Sequence, residues 1–385
     1  MLFRALVHTF KITALLCCLL FYGCGNSSQL VLIKQVRLYD GSTIREQVDV
    51  LISDGVIISI GEHITDAAAT IVDGKGKTII PLLVNAHAHV HEPLHLKESL
   101  SQGIGTVLDL YTSSEKARQL RIYNDSTLYA TYYTSGPGAT APGGHGTQLG
   151  YAVPTVSHPS EASLFIRNRV DDGVDYIKII REPLRTTLDF KTIGALIEAA
   201  HQNDKLALAH ISTLDDALAV SELKVDGFAH IWFDSAMDEE QLAQLATQKP
   251  FVIPTLYVTK KLLQYVDQKE LALQHLHFDE LQQEVYRLHQ KQILLLAGTD
   301  APNLGINYHD GLLEELRLLK ASGLSDFEVL KTATINPAIA FNFLENQLIK
   351  ENNKANFLLI NGDPTSDIES ITKIMGIWKS GTRIK

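Results

Sequence analysis

The sequence predicts an α/β fold, a (β/α)8 TIM barrel accompanied by a small β-sandwich domain. Short apolar segments alternate with helical patterns through the middle of the chain, which is typical of a parallel sheet with helical crossovers. Eight such segments favour a closed barrel over a doubly wound open sheet, the structural alternative. The predicted barrel strands are residues 82–86, 105–110, 128–134, 176–180, 206–210, 227–231, 251–256 and 293–298.

The segments between these strands carry helical patterns. Residues 192–203 and 213–223 predict two of the crossover helices. Thr213 precedes Asp216 by three residues, a capping pair suited to the start of the second helix.

Both ends of the chain predict short strands without intervening helices. Residues 30–36, 48–52, 56–60 and 78–80 are apolar segments separated by Asp-Gly turn signals, and residues 356–360 and 374–378 have the same character. Two β-rich ends bracket a different middle. We therefore expect one β-sandwich built from residues 29–80 and 347–385, with residues 81–346 forming the barrel.

The N-terminus predicts a segment that is not part of the fold. Arg4 and Lys11 flank a short apolar stretch that ends in small residues, so residues 1–24 are typical of a secretory signal peptide. The tetrad Phe21-Tyr22-Gly23-Cys24 resembles a bacterial lipoprotein box, which would lead to cleavage before Cys24 and lipidation of its thiol. Simple cleavage with release to the periplasm is the alternative. In both cases the protein is exported.

The composition narrows the class of partner. The 385-residue chain has a formal net charge of −10, and no basic run stands out. We therefore expect no nucleic-acid partner, since such surfaces are strongly basic. Membrane contact is expected only through the N-terminal lipid anchor, and the sequence leaves a homo-oligomer open.

A histidine pair suggests metal chemistry. His87 and His89 follow the apolar run 79–84, and alternation along a strand places both on one face. Such a pair is half of a metal site. Further metal-compatible side chains fall at or near the carboxyl ends of other predicted strands, where a closed barrel brings them together. They are Lys178, His210, His230 and Asp300.

This ordered set resembles the metal-dependent amidohydrolase superfamily, in its branch with a binuclear metal centre. The segments Gly298-Thr299-Asp300-Ala301 and Thr334-Ile335-Asn336-Pro337-Ala338 also match. The resemblance extends over nearly all of the chain after the signal segment. It is closest to imidazolonepropionase-related and prolidase-like members, which carry a glycine-rich loop seen here as Pro142-Gly143-Gly144-His145-Gly146.

The resemblance implies a role for each of the six residues. His87 and His89 would bind the first of two divalent metal ions, and His210 and His230 the second. Lys178, carrying a carbamate derived from carbon dioxide, would bridge the ions. Asp300 would complete the first site and act as proton shuttle.

Elementary chemistry agrees with these roles. A lysine ammonium cannot bind a cation, but burial in an apolar strand lowers the amine pKa and exposes the lone pair that captures carbon dioxide. Two ions can hold a bridging hydroxide that attacks a substrate carbonyl. Imidazole and carboxylate-type ligands suit zinc, with manganese or another divalent ion as alternatives.

Two further residues are candidate substrate contacts. His145 lies between glycines that let the backbone bend into a cavity. Arg181 follows the fourth strand and could meet a substrate carboxylate, although a salt bridge to a neighbouring acid is the simpler interpretation.

We therefore predict a hydrolase of carbon–nitrogen bonds that acts on a small-molecule amide, either a dipeptide or a cyclic amide. A second hypothesis is a mononuclear, imidazolonepropionase-like enzyme in which His87, His89, His210 and Asp300 hold one ion and Lys178 is unmodified. Ester or lactone hydrolysis uses the same nucleophile. A third hypothesis, from another class, is an inactive surface-anchored binding protein.

Overall fold

The computed structural model describes residues 30–385 except residues 149, 151, 272 and 309. The predicted signal segment and Cys24 lie outside the described residues. Within the described part of the chain, every helix is too short or too polar to span a membrane.

Parallel strands form the predicted barrel. They form two parallel sheets, one of three strands in the order β6-β7-β8 and one of four strands in the order β9-β10-β11-β12. A bridge between Ala139 and Ile179 joins the segment after β8 to β9. The strands are β6 Leu83–Ala88, β7 Ile104–Asp109, β8 Thr131–Thr134, β9 Ile177–Ile180, β10 Ala207–His210, β11 Gly227–Ala229 and β12 Phe251–Ile253.

The eighth predicted strand, residues 293–298, differs from the expectation. It closes the ring through isolated bridges, from Leu295 to Val252 and from Ala301 to Ala88, and not through a continuous ladder. One of its backbone groups bonds outside the sheet: Ala297 N donates to the carbonyl of Thr332, the last residue of the helix Asp326–Thr332. The barrel is nevertheless closed, which confirms the predicted fold class.

Helices cover the outside of the barrel between successive strands. Thr213 caps the fifth helix by accepting from Asp216 N, as predicted. The fourth helix begins two residues earlier than predicted because Asp189 accepts from Thr192 N at 2.7 Å. The helices are α1 Pro93–Ser101, α2 Ser114–Arg121, α3 Ala162–Asp171, α4 Phe190–His201, α5 Leu214–Glu222, α6 Glu239–Gln248, α7 Leu256–Gln268, α8 Phe278–Gln290, α9 Gly311–Ala321, α10 Asp326–Thr332, α11 Ile335–Ala340 and α12 Leu344–Gln347.

The two ends of the chain build one mixed sheet. Its order is β15-β14-β13-β5-β1-β2-β3, with β4 paired to β1. The C-terminal strand β13 is antiparallel to β5, which leads directly into β6. The strands are β1 Leu30–Tyr39, β2 Ile44–Ser53, β3 Val56–Gly61, β4 Thr70–Asp73, β5 Lys77–Pro81, β13 Phe357–Asn361, β14 Ile374–Lys379 and β15 Thr382–Arg383.

The sheet has a hydrophobic cluster of its own but also contacts the barrel. Phe357 and Trp378 stack with ring centroids 4.7 Å apart inside the sheet cluster. Leu358 and Ile377, which alternate with them along β13 and β14, belong to the larger cluster in which the helices pack against the barrel strands. The domain boundaries at residues 29–80 and 347–385 stay a prediction, since these strands serve both cores.

Candidate metal centre

The barrel strands deliver the predicted ligands to one end. His87 lies in β6 and His89 directly follows it, His210 ends β10, and His230 follows β11. Asp300 lies just past the eighth segment. Because parallel strands end on the same side of a barrel, these side chains meet at its C-terminal face.

Asp300 joins the histidine pair. Its Oδ1 lies 3.0 Å from Nε2 of His87 and 2.9 Å from Nε2 of His89. The other carboxylate oxygen accepts from Nδ2 of Asn303 at 2.9 Å, which orients the carboxylate. Donors bound to one ion at about 2 Å lie ~3 Å from each other, so the distance from Asp300 to each histidine suits two ligands of one metal.

The donor set fits a divalent metal. His87 is fully buried; its Nδ1 has no hydrogen-bond partner among the described residues, and its Nε2 lies against Asp300. His87, His230 and Asp300 each offer a ligand atom within 4.8 Å of the others. Burial lowers the pKa of His87 to about 3, with the charge of Lys178 acting in the same direction. A neutral imidazole with free nitrogens is the form that binds metal ions.

The other histidines each have one nitrogen bound by a protein group. Nδ1 of His89 lies 3.3 Å from the carbonyl of Tyr111. Nδ1 of His230 lies 2.7 Å from Oγ1 of Thr255, and Nε2 of His210 lies 3.4 Å from a Glu182 carboxylate oxygen. In His210 and His230 such contacts fix the tautomer and leave the second nitrogen for a metal, a pattern typical of metal-ligating histidines. The second nitrogen of His89, Nε2, lies against Asp300.

The rings of the proposed second pair also lie together. The ring of His210 is 4.7 Å from that of His230, centroid to centroid, and the ring of His230 is 4.6 Å from that of His87. The two predicted sites are therefore adjacent.

Lys178 is buried in β9, with 3% of its surface exposed. Burial lowers its pKa to about 7, and the charge of Asp300 opposes that shift. The structure thus provides the amine with a substantial unprotonated fraction at neutral pH, which carbamate formation requires.

Backbone geometry around the site is unusual. His230, Asp300 and Thr255 have φ angles of 80°, 58° and 49°, in the left-handed region that residues other than glycine rarely adopt. All three lie where a barrel segment ends. Such conformations concentrate at functional sites, where the surrounding structure enforces them.

Polar bonds and a glycine align the first and last barrel segments. Nδ2 of Asn85 donates to Oγ1 of Thr299 at 2.9 Å, and the N–H groups of Thr299 and Asp300 both donate to the carbonyl of His87. A Cβ on Gly298 would lie 2.7 Å from that of His87. Glycine at this position therefore lets the two segments approach, which brings Asp300 to His87.

The two predicted substrate contacts have different surroundings. His145 stacks on His210 with centroids 4.9 Å apart, and burial lowers its pKa to about 4, so the ring is neutral at the edge of the site. Arg181 instead donates to Asp216 at 2.9 Å and packs over Phe190. Its guanidinium forms a salt bridge with a neighbouring acid, the simpler of the two interpretations of the sequence. Arg181 is therefore not a candidate substrate contact.

Several functional candidates were missed in the sequence. Glu182, Thr255 and Asn303 contact predicted ligands, and buried Asp109 ends β7 behind His89, where burial raises its pKa to about 6. All lie at or just after the ends of barrel segments. Extending the rule of polar residues at strand ends to every strand would have included them.

Comparison with known proteins agrees with this geometry. Residues 78–385 match the model of the amidohydrolase family, so the chain belongs to that family. The family predicted from the sequence is confirmed.

Solved structures share the fold. A Xaa-Pro dipeptidase with methionine bound in its active site superimposes with a TM-score of 0.77 at 18% identity, covering 93% of this chain and 100% of that one. A protein described as a prolidase from Bifidobacterium longum gives 0.75 at 21% identity, covering 92% and 94%. A molinate hydrolase gives 0.76 at 17% identity, covering 93% and 95%.

Curated relatives match over short stretches only. The dihydroorotase of Streptococcus pneumoniae is 42% identical over 65 residues, which is 17% of this chain and 15% of the relative. The dihydroorotase of Thermus aquaticus is 40% identical over 78 residues, 20% of this chain and 17% of the relative. The matches thus span less than a fifth of these relatives.

Proposed function

We propose that this protein is a metal-dependent hydrolase that cleaves an amide bond of a small molecule, a dipeptide or a cyclic amide. The observation that carries the proposal is Asp300, whose one oxygen lies within 3.0 Å of both His87 and His89. The dipeptidase and dihydroorotase likenesses support these two substrate classes.

Two divalent ions, with zinc as our first choice, would supply the Lewis acidity that activates water and polarises the scissile carbonyl. His87, His89 and Asp300 would hold one, and His210 and His230 the other. Lys178 would carry the carbamate that joins them. This assignment agrees with the burial of Lys178 and with the nitrogens that the histidines leave free.

Asp300 would move the proton. Its carboxylate is held by Asn303 on one oxygen, and the neighbouring His87 and His89 outweigh the effect of burial and keep the pKa of Asp300 well below its usual range. An ionised, fixed carboxylate can accept the proton of the attacking water and deliver it to the departing amine. His145, neutral and stacked on His210, would donate a hydrogen bond to the substrate carbonyl or carboxylate.

The decisive experiment assays purified protein, supplied with zinc and bicarbonate, against dipeptides and cyclic amides. Asp300→Asn should abolish turnover while leaving the fold intact, because asparagine tolerates the positive φ of this position. Asp204→Asn, at an exposed residue with a φ of 54°, is the matched control and should be fully active. Retained turnover in the Asp300 variant would refute the mechanism.

A one-ion centre is the second candidate, because His87, His230 and Asp300 each offer a ligand atom within 4.8 Å of the others. Elemental analysis distinguishes two ions per chain from one. Carbon-13 NMR of protein given labelled bicarbonate tests the carbamate, with Lys178→Ala as the control. Failure to bind any divalent ion would favour an inactive binding protein.

We also propose export with lipidation of Cys24, on the sequence pattern of residues 1–24. Labelling of expressing cells with radioactive palmitate should mark the full chain but not the Cys24→Ser variant. An unlabelled, shortened protein in the soluble periplasmic fraction would instead indicate simple cleavage of the signal segment.

A further inference from the structure

A second cavity lies at the opposite end of the barrel from the candidate metal centre. Its volume is about 410 Å³. Its wall includes Thr106 and Thr131 from the N-terminal halves of strands β7 and β8, together with Asn356 and Lys379 from the terminal sheet. Cavities that bind small molecules are usually of this size or larger. The cavity therefore lies between the barrel floor and the sheet, and the proposed hydrolase mechanism does not use it.

Lys379, the last residue of β14, is 6% exposed, and its ammonium donates to Oγ1 of Thr131. Burial alone lowers its pKa to about 8, so no carboxylate of the described residues acts on it. Two buried or half-buried arginines differ: Arg169 pairs with Asp172 at 2.8 Å, and Arg181 with Asp216 at 2.9 Å. A buried lysine is normally paired with an acid. Lys379 thus has donor capacity and positive charge without a counterion.

The rest of the wall offers both donors and acceptors, and the amide N–H groups of Gln347 and Asn353 bond to backbone carbonyls. Oδ1 of Asn356 accepts from the backbone N–H of Ser380 at 2.6 Å, which directs the amide NH2 group away from that bond. Lys354 adds a second cation to the wall. The one carboxylate of the wall, Glu345, forms an ion pair with Lys350. The wall therefore has two lysines against one carboxylate that is already paired, although the protein as a whole is acidic.

We propose that this cavity binds a small organic or inorganic anion, with the ammonium of Lys379 and the amide of Asn356 contacting its carboxylate or phosphate group. Because the wall is shared by the barrel and the terminal sheet, the bound anion would join the two. The proposal is independent of the proposed hydrolase activity.

The first test uses the metal-loaded wild-type protein and inorganic phosphate or succinate as probes. Acetylation of individual lysines with acetic anhydride is followed by mass spectrometry. The probe that occupies the cavity should slow modification of Lys379 in a saturable manner but not that of exposed Lys350. The two probes distinguish a phosphate from a carboxylate ligand. Unchanged modification of Lys379 with both probes across the millimolar range would overturn the proposal.

The second test measures the affinity of the same probes by calorimetry in two matched variants. Lys379→Met keeps the side-chain length without the charge and should weaken binding by roughly tenfold or more, since hydrogen bonds to charged groups are the strong ones. Lys191→Met, at an exposed lysine outside the cavity wall, should bind as the wild type does. Amide hydrolysis should be unaffected in both, which also shows that they fold. Equal affinity in the Lys379 variant and the wild type would contradict the proposal.

Discussion

At the scale of single residues, the candidate centre depends on the protein groups that contact one ring nitrogen of a histidine and so orient the other nitrogen toward the metal. Thr255 holds Nδ1 of His230 at 2.7 Å and Glu182 lies 3.4 Å from Nε2 of His210. The sequence does not show which histidine each partner contacts, because each belongs to a different strand end from its histidine. The ligands themselves were predictable, because they lie in or directly after apolar strand segments.

Removing one such partner should weaken metal binding without removing a ligand. Thr255→Val deletes the hydroxyl that orients His230, and we expect metal affinity to fall by ~10–100-fold. Competition with a chelating dye measures it. Thr192→Val, which removes another buried hydroxyl in α4, is the matched control and should bind metal normally. Equal affinities in the two variants would show that Thr255 does not position the ring.

The loop residue Gly146 should be needed to place His145. Its φ is +97°, and a Cβ there would lie 2.4 Å from the hydroxyl oxygen of Tyr111. Gly146→Ala must therefore displace the loop, and we expect kcat/KM to drop by ~10–100-fold. Gly173→Ala shares the positive φ, +77°, but meets nothing within 4 Å, so it should lose only stability. Steady-state kinetics of both variants would reveal any failure of this expectation.

At the scale of elements, hydrophobic periodicity predicted most helices and strands. The predictions failed where groups outside an element formed hydrogen bonds with its backbone. The eighth barrel segment lacks a regular ladder because Ala297 N bonds to Thr332 and the carbonyl of Leu295 accepts from Asn336. These residues lie about 35–41 positions away in the chain. Strand periodicity cannot report such partners.

The N-terminus of helix α7 is capped by a residue of another helix, which no local sequence motif predicts. Glu315 of α9 accepts from the N–H groups of Leu256 and Tyr257 at 2.9 and 2.8 Å, and it is fully buried. Burial raises its pKa from 4.5 to about 8, an effect that these two bonds only partly offset.

This carboxyl should make stability depend on pH. Since its folded pKa is raised, its contribution is fully present below pH 4.5 and is lost as pH rises through about 8. Between pH 5 and 8 the wild type should lose stability, by at most a few kcal/mol. Glu315→Gln, which stays neutral, should flatten the profile. Denaturant unfolding at several pH values measures this, and Glu314→Gln on the same helix should keep the wild-type slope. A Glu315 variant with the wild-type slope would assign the pH dependence to other groups.

At the scale of the whole molecule, the two termini and the barrel form a connected structure. Strand β13, near the C-terminus, pairs along β5, and β5 continues into the strand that carries His87. The sequence predicted a sheet from both ends. That one face of β13 and β14 belongs to the barrel core became visible only in three dimensions, because both faces of these strands are apolar.

Metal binding should be linked to global stability, because the ligands come from strands around the whole barrel. Zinc at one hundred times its dissociation constant should stabilise the fold by ~2.7 kcal/mol, and a chelator should reverse this. Differential scanning calorimetry with and without metal gives the shift in Tm. Asp300→Asn should reduce the shift strongly, whereas Asp204→Asn should not. A wild-type Tm that is insensitive to every divalent ion would argue against a metal centre.

The sequence by itself determined the barrel and the identity of the metal-compatible residues, because both follow from local periodicity and from polar residues that end apolar segments. Only the tertiary structure decided that Asp300 reaches both His87 and His89 and that Arg181 turns to Asp216. It also decided that Lys379 faces a cavity whose one carboxylate, Glu345, is paired with Lys350. These outcomes depend on contacts between residues far apart in the chain. The packing of strands and helices sets such contacts, and no local pattern encodes them.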